Sequence, residues 1–87
     1  MLKVGLIGCG FMGGMHSACY KEIDGVEIVA VADVRPEKAE EIAKVHNATI
    51  YTTGNELIEN ADVDIIDICF SSSSDRFKIR EKANYRY

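Results

Sequence analysis

An apolar run, Lys3-Val4-Gly5-Leu6-Ile7, leads without a break into Gly8-x-Gly10-x-x-Gly13. An amphipathic segment follows at once, and Asp33 closes the next apolar run, twenty residues beyond Gly13. Strand, glycine turn, helix, strand and acid, in that order, make the arrangement that receives a dinucleotide. Gly8 lets the chain leave the strand in a tight turn. Gly10 leaves room for the backbone to approach a pyrophosphate, and Gly13 lets the helix pack close to the strand. The phosphates would face the unpaired N–H groups and the positive dipole end of that helix. Asp33, at the tip of the second strand, would accept hydrogen bonds from the adenosine ribose. Its carboxylate repels a 2′-phosphate and so favours NAD, whereas Arg35, two residues on, could pair with that phosphate. NAD is the expected cofactor and NADP stays open.

The rest of the chain fits around this stretch. Residues 3–7 are the expected first strand, apolar on both faces as in a parallel sheet. Residues 11–23 read as the first helix. Met12, Met15, Cys19 and Ile23, with Ala18 beside them, recur at spacings of three and four and form its expected buried face. His16, just past the glycine turn, is assigned to packing or hydrogen bonding rather than to base catalysis. Asp24-Gly25 marks a turn and residues 26–33 the second strand. Pro36 suits the start of a helix over residues 37–46 and pushes Arg35 towards an extended conformation. Ala39, Ile42 and Ala43 face inward there; Glu37 and Glu40 face water, and Glu40 supports Lys44 one turn on.

Residues 48–51 form a short third strand, expected at the sheet edge. Thr53-Gly54-Asn55-Glu56 has the form of a capping box for a helix over 54–59. Residues 63–70 give a fourth strand. Asp67 inside it needs a partner or an exposed face that the sequence does not name. Right-handed crossovers place the strands in order 3-2-1-4, an incomplete doubly wound parallel α/β sheet with flanking helices. The ligand crevice opens above strands one and four, between residues 8–13 and 69–74.

Bulk properties narrow the partners. Eighty-seven residues make one domain at most. A net charge of −4 argues against a nucleic-acid binder. No apolar stretch approaches the roughly 20 residues of a membrane span. The N-terminus reads as a strand rather than a signal peptide, so a cytoplasmic location is the default. Cys9, Cys19 and Cys69 lack C-x-x-C spacing. They read as small buried thiols, not as a disulfide framework, a zinc site or a nucleophile.

These residues resemble the Gfo/Idh/MocA family of NAD(P)-dependent oxidoreductases. The likeness rests on residues 3–13, His16, Val29-Ala30-Val31-Ala32-Asp33, the helix at 53–59 and Val63-Asp64-Ile65-Ile66-Asp67-Ile68-Cys69. It covers residues 1–70. It implies a Rossmann domain that binds NAD(P), followed in relatives by a C-terminal α/β domain. Members oxidise or reduce a hydroxyl or carbonyl of a sugar, inositol or related small molecule by hydride transfer. By this resemblance Gly8, Gly10, Phe11, Met12 and Gly13 match the pyrophosphate turn and Asp33 the ribose acid. Residues 70–73, among them Phe70, Ser71 and Ser72, match the loop near the nicotinamide ribose. The departures are specific. Asp75 falls roughly where the family has a histidine, and no Glu-Lys-Pro motif is present. No catalytic residue is therefore expected in this chain, and a small-molecule substrate would be met only in a full-length relative.

Residues 71–87 stand apart. They carry five basic and two acidic side chains, a net +3, against −7 for residues 1–70. Phe77 and Ile79 alternate with Arg76, Lys78 and Arg80. An edge strand, a poorly formed helix, a linker and a truncated or frame-altered product all stay open. The expected division is a Rossmann half, 1–70, and an atypical tail, 71–87. Two functions follow. One is the NAD-binding portion of an oxidoreductase, inactive alone. The other is a stand-alone module that binds no dinucleotide and oligomerises through the exposed edge of its fourth strand.

Overall fold

The computed structural model describes residues 1–69, apart from the side chains of Phe11 and Met12. The expected site residues Phe70, Ser71 and Ser72 and the tail 71–87 lie outside the described residues.

Seven elements alternate: β1 (Leu2–Ile7), α1 (Phe11–Lys21), β2 (Val26–Ala32), α2 (Pro36–His46), β3 (Thr49–Tyr51), α3 (Gly54–Asn60) and β4 (Ile65–Ile68). Among the described residues the strands form one sheet in the order β3-β2-β1-β4, every pair parallel. This is the Rossmann-like order read from the sequence. β1 is central: Leu6 stands beside Val31 of β2 on one side and Asp67 of β4 on the other. That position explains why Val4, Leu6 and Ile7 are fully buried.

The pleat sends side chains to both faces, and each face has its own core. One joins Val4, Leu6, Ile28 and Val31 to Ala39, Ile42 and Ala43 of α2. The other joins Ile7, Ala30, Ala32 and Ile68 to Leu57 of α3. Helices therefore cover both faces, as a parallel sheet requires.

Local signals set the helix ends. Arg35 is extended before Pro36, and Asn47 ends α2 in the left-handed region at φ 56°. Thr53 Oγ1 accepts the Glu56 N–H at 3.1 Å. Glu56 reaches back to the N–H of Thr52 at 2.9 Å, one residue before the cap itself.

Two expectations are corrected. β4 begins at Ile65, not Val63. Asp64 instead clamps the strand's entry: its N–H donates to Lys3 O at 2.7 Å and its carboxylate accepts the Lys3 N–H at 2.8 Å. The larger correction concerns α1. Met15 and Ile23 are each 49% exposed, and Ala18 and Cys19 are exposed too, so the face expected to be buried is the outer one. The inner face carries Gly13 and Ser17, with Tyr20 packed partly against the core. Closeness of approach selects this face. A Cβ on Gly13 would run into the carbonyl of Gly8. Only a face led by glycine lets the helix lie so near the turn.

Candidate dinucleotide-binding site

The glycine turn is built as its spacing requires. Gly8 sits at φ 94°, a region closed to most side chains, and swings the chain off β1. Its N–H donates to Ala32 O at 2.9 Å, which ties the turn to the end of β2. α1 then starts at Phe11. Its N-cap, Gly10, makes no side-chain cap, and its first turn has no acidic residue. The first N–H groups thus meet no competing anion from the helix itself. This is the condition under which a helix N-terminus takes a phosphate.

Asp33 lies just past β2 and is buried. Its Oδ2 accepts the backbone N–H of Cys9 at 2.8 Å, so the carboxylate braces the glycine turn directly. Its Oδ1 accepts the N–H of Arg35 at 2.8 Å, an Asx-type turn. The Arg35 guanidinium closes on the same group, with Nε 3.1 Å from Oδ1 and Nη2 3.0 Å from Oδ2. Burial pushes the Asp33 pKa up. The Arg35 guanidinium and the N–H donors outweigh it and hold the carboxyl below the usual range. Asp33 is therefore anionic at neutral pH.

The structure brings Gly8, Gly10, Gly13, Asp33 and Arg35 together. It also shows that Asp33 and Arg35, which the sequence set against each other as ribose acid and phosphate cation, form one pair. The Asp-x-Arg-Pro spacing carried a turn signal for this contact. No sequence signal marked the Cys9 N–H as a partner. The Cys9 thiol is buried and bonds Ala32 O at 3.6 Å. Burial and then the Asp33 charge push it up to about 12, so it is a packed thiol as expected. Cys19 was expected to be buried and is exposed.

Across β1, the partner that Asp67 requires is present. Asp67 Oδ2 lies 2.7 Å from His16 Nδ1 and accepts the Tyr20 hydroxyl at 3.0 Å. His16 thus has the hydrogen-bonding role expected of it. Its partner is 51 residues away, beyond any spacing rule. No helix among the described residues is long and apolar enough to cross a membrane.

Comparison with known proteins agrees with this geometry. The Gfo/Idh/MocA model, described as an oxidoreductase family with an NAD-binding Rossmann fold, matches residues 2–85. The match continues beyond Phe70, where the resemblance read from the sequence stopped. An inositol 2-dehydrogenase of Ralstonia nicotianae is 37% identical over 68 residues, 75% of this chain and 20% of that protein. A myo-inositol 2-dehydrogenase of Thermotoga maritima is 32% identical over 74 residues, 84% of this chain and 22% of that protein. The crystal structure of myo-inositol dehydrogenase from Lactobacillus casei, in complex with NAD(H) and myo-inositol, superposes with a TM-score of 0.86 at 30% identity. It covers 95% of this chain and 25% of that one. The chain spans about a fifth of the length of the two sequence relatives. With a glycine turn, an open helix N-terminus and a strand-end acid in place, and with this match, the chain belongs to the Gfo/Idh/MocA oxidoreductase family with its NAD-binding Rossmann fold.

Proposed function

We propose that residues 1–70 are the dinucleotide-binding half of an NAD-dependent oxidoreductase that acts on an inositol or a related polyol. The tail at 71–87 is a separate segment in this reading. The observation that carries it is the bond from Cys9 N–H to Asp33 Oδ2. It joins the turn that would hold a pyrophosphate to the acid that would hold the adenosine ribose.

Gly8, Gly10, Phe11, Met12 and Gly13 supply the turn and the helix N–H groups for the phosphates. Asp33 accepts from the ribose hydroxyls, and Arg35 swings outward to admit them. The Arg35 side chain is half exposed, so water replaces the bonds it gives up. On the family resemblance alone, Phe70, Ser71 and Ser72, which lie outside the described residues, are assigned to the nicotinamide end. The cofactor, when bound, supplies hydride transfer at its nicotinamide. The residues of this chain contribute binding and orientation of the cofactor. The inositol class comes from the sequence relatives and from the Lactobacillus casei enzyme.

Calorimetric titration of the 87-residue chain with NADH and NADPH tests the reading. Asp33→Asn is the informative variant, because it removes the charge but keeps an oxygen for the Cys9 N–H. Saturable NADH binding, weakened about tenfold or more in Asp33→Asn, is expected, since bonds to a charged group contribute about 1.5–3 kcal/mol. A chain folded by circular dichroism that binds neither nucleotide would overturn it.

A further inference from the structure

Three side chains from two distant parts of the sequence converge where the second turn of α1 passes the end of β4. We propose that His16, Asp67 and Cys69 form a three-ligand site for a divalent transition-metal ion of the zinc class. One ligand atom from each lies within 4.8 Å of the other two. Cys69 Sγ is 3.4 Å from His16 Nδ1 and 3.6 Å from Asp67 Oδ1. In a tetrahedral zinc site, with metal–ligand bonds of about 2.0–2.3 Å, neighbouring ligand atoms stand about 3.3–3.6 Å apart. The Cys69–His16 edge already matches. Asp67 presents Oδ1 to Cys69 at 3.6 Å and Oδ2 to His16 at 2.7 Å, so its carboxylate turns to bring a single oxygen into the triangle.

The donor set suits such an ion. Imidazole, thiolate and carboxylate are the nitrogen, sulfur and oxygen ligands that zinc accepts. One neutral and two anionic ligands leave a doubly charged cation neutral overall. The Tyr20 hydroxyl donates to Asp67 Oδ2 at 3.0 Å and anchors the carboxylate, as an outer-shell partner does. The imidazole is 39% exposed and the carboxylate 14%, so the ion has an entry path and the ligands are mostly sheltered. Loading releases the Cys69 thiol proton to water and leaves the His16 ring proton on Nε2, so affinity rises with pH. Three protein ligands leave the fourth position to water or a substrate oxygen. The site uses none of Gly8, Gly10, Gly13, Asp33 or Arg35.

Cobalt(II) is the probe, titrated into the full 87-residue chain under reducing conditions, with circular dichroism recorded alongside. One equivalent should bind with a thiolate-to-metal charge-transfer band in the near ultraviolet and intense tetrahedral bands in the visible. Zinc(II) should displace it. Cys69→Ser should abolish the charge-transfer band, and His16→Gln should weaken binding at least about tenfold, the lower end even for outer-shell changes. Cys19→Ser, which alters an exposed thiol outside the cluster, should change nothing. The proposal is overturned by absence of binding, by a band that survives Cys69→Ser, or by one that disappears in Cys19→Ser. Should Cys69→Ser lose its folded spectrum, His16→Gln decides alone, and unchanged affinity there overturns the site.

Discussion

Arg35 folds back onto Asp33, and its Nη2, 3.0 Å from the carboxylate, also stands 3.1 Å from where a Cβ on Gly10 would be. The cation that could meet a 2′-phosphate thus lies over the turn that would meet the pyrophosphate. The acid that would meet the ribose is its partner. Asp33 already accepts from the Cys9 N–H and from the N–H, Nε and Nη2 of Arg35, so a ribose hydroxyl would have to displace one of these donors.

Arg35→Ala should therefore weaken NADPH relative to NADH by on the order of tenfold, the scale of one charge-assisted contact. Paired titrations of the two nucleotides measure the ratio. An unchanged ratio would show that Arg35 takes no part in the choice.

Gly13→Ala should cost about 3 kcal/mol, the upper end for overpacking, because the obstacle is the Gly8 main chain and cannot move aside as a side chain would. Gly14→Ala is the matched control. It meets no atom within 4 Å and should stabilise α1 by up to about 1 kcal/mol. Urea midpoints of the two variants should move in opposite directions.

The outward face of α1 gives a complementary test. Met15→Gln should leave stability within about 0.5 kcal/mol despite losing an apolar side chain, because Met15 is 49% exposed. Ser17→Leu, at a buried position facing His46, should destabilise by about 1–3 kcal/mol. The ranking is the reverse of what hydrophobic periodicity alone would give.

Thr53→Ala should cost about 1 kcal/mol, since Thr53 Oγ1 satisfies the Glu56 N–H at the start of a seven-residue helix. Chemical denaturation would read it, and an exposed threonine with no capping role would show no such loss.

Stability should fall as pH drops below the ordinary histidine value of 6.5, with His46 responsible. Burial first, and then the charge of Lys21, hold its folded pKa below the ordinary 6.5, against the Ser17 contact that works upward. The unfolded chain then takes up the proton first. The contribution is present above 6.5 and lost as pH falls towards the folded value. His46→Gln keeps a polar partner for Ser17 and should flatten this part of the urea-midpoint profile. Asp33, held below 3.8, loses its contribution only as pH falls below that value.

Much of the fold was legible because it is written locally. Glycines at three fixed positions, an acid twenty residues on, Pro36 after a strand and Thr53 three residues before Glu56 each act on neighbours a few residues away. With right-handed crossovers they lead to the order β3-β2-β1-β4. The residues proposed to meet a dinucleotide were legible for the same reason, as one turn and the next strand end.

What the tertiary structure alone decided lies at long range or depends on approach distance. Periodicity ranked the faces of α1 by apolarity and chose Met15, Cys19 and Ile23. The packed molecule chose Gly13 and Ser17, because a helix lying against a main-chain carbonyl needs a missing Cβ more than it needs a large apolar side chain. Asp67 read as a conflict within a buried strand. His16 and Tyr20, 51 and 47 residues before it, resolve that conflict only when α1 and β4 stand side by side. Hydrogen bonds between side chains that far apart leave no period in the sequence, since they form only after the backbone has brought their donors and acceptors within reach.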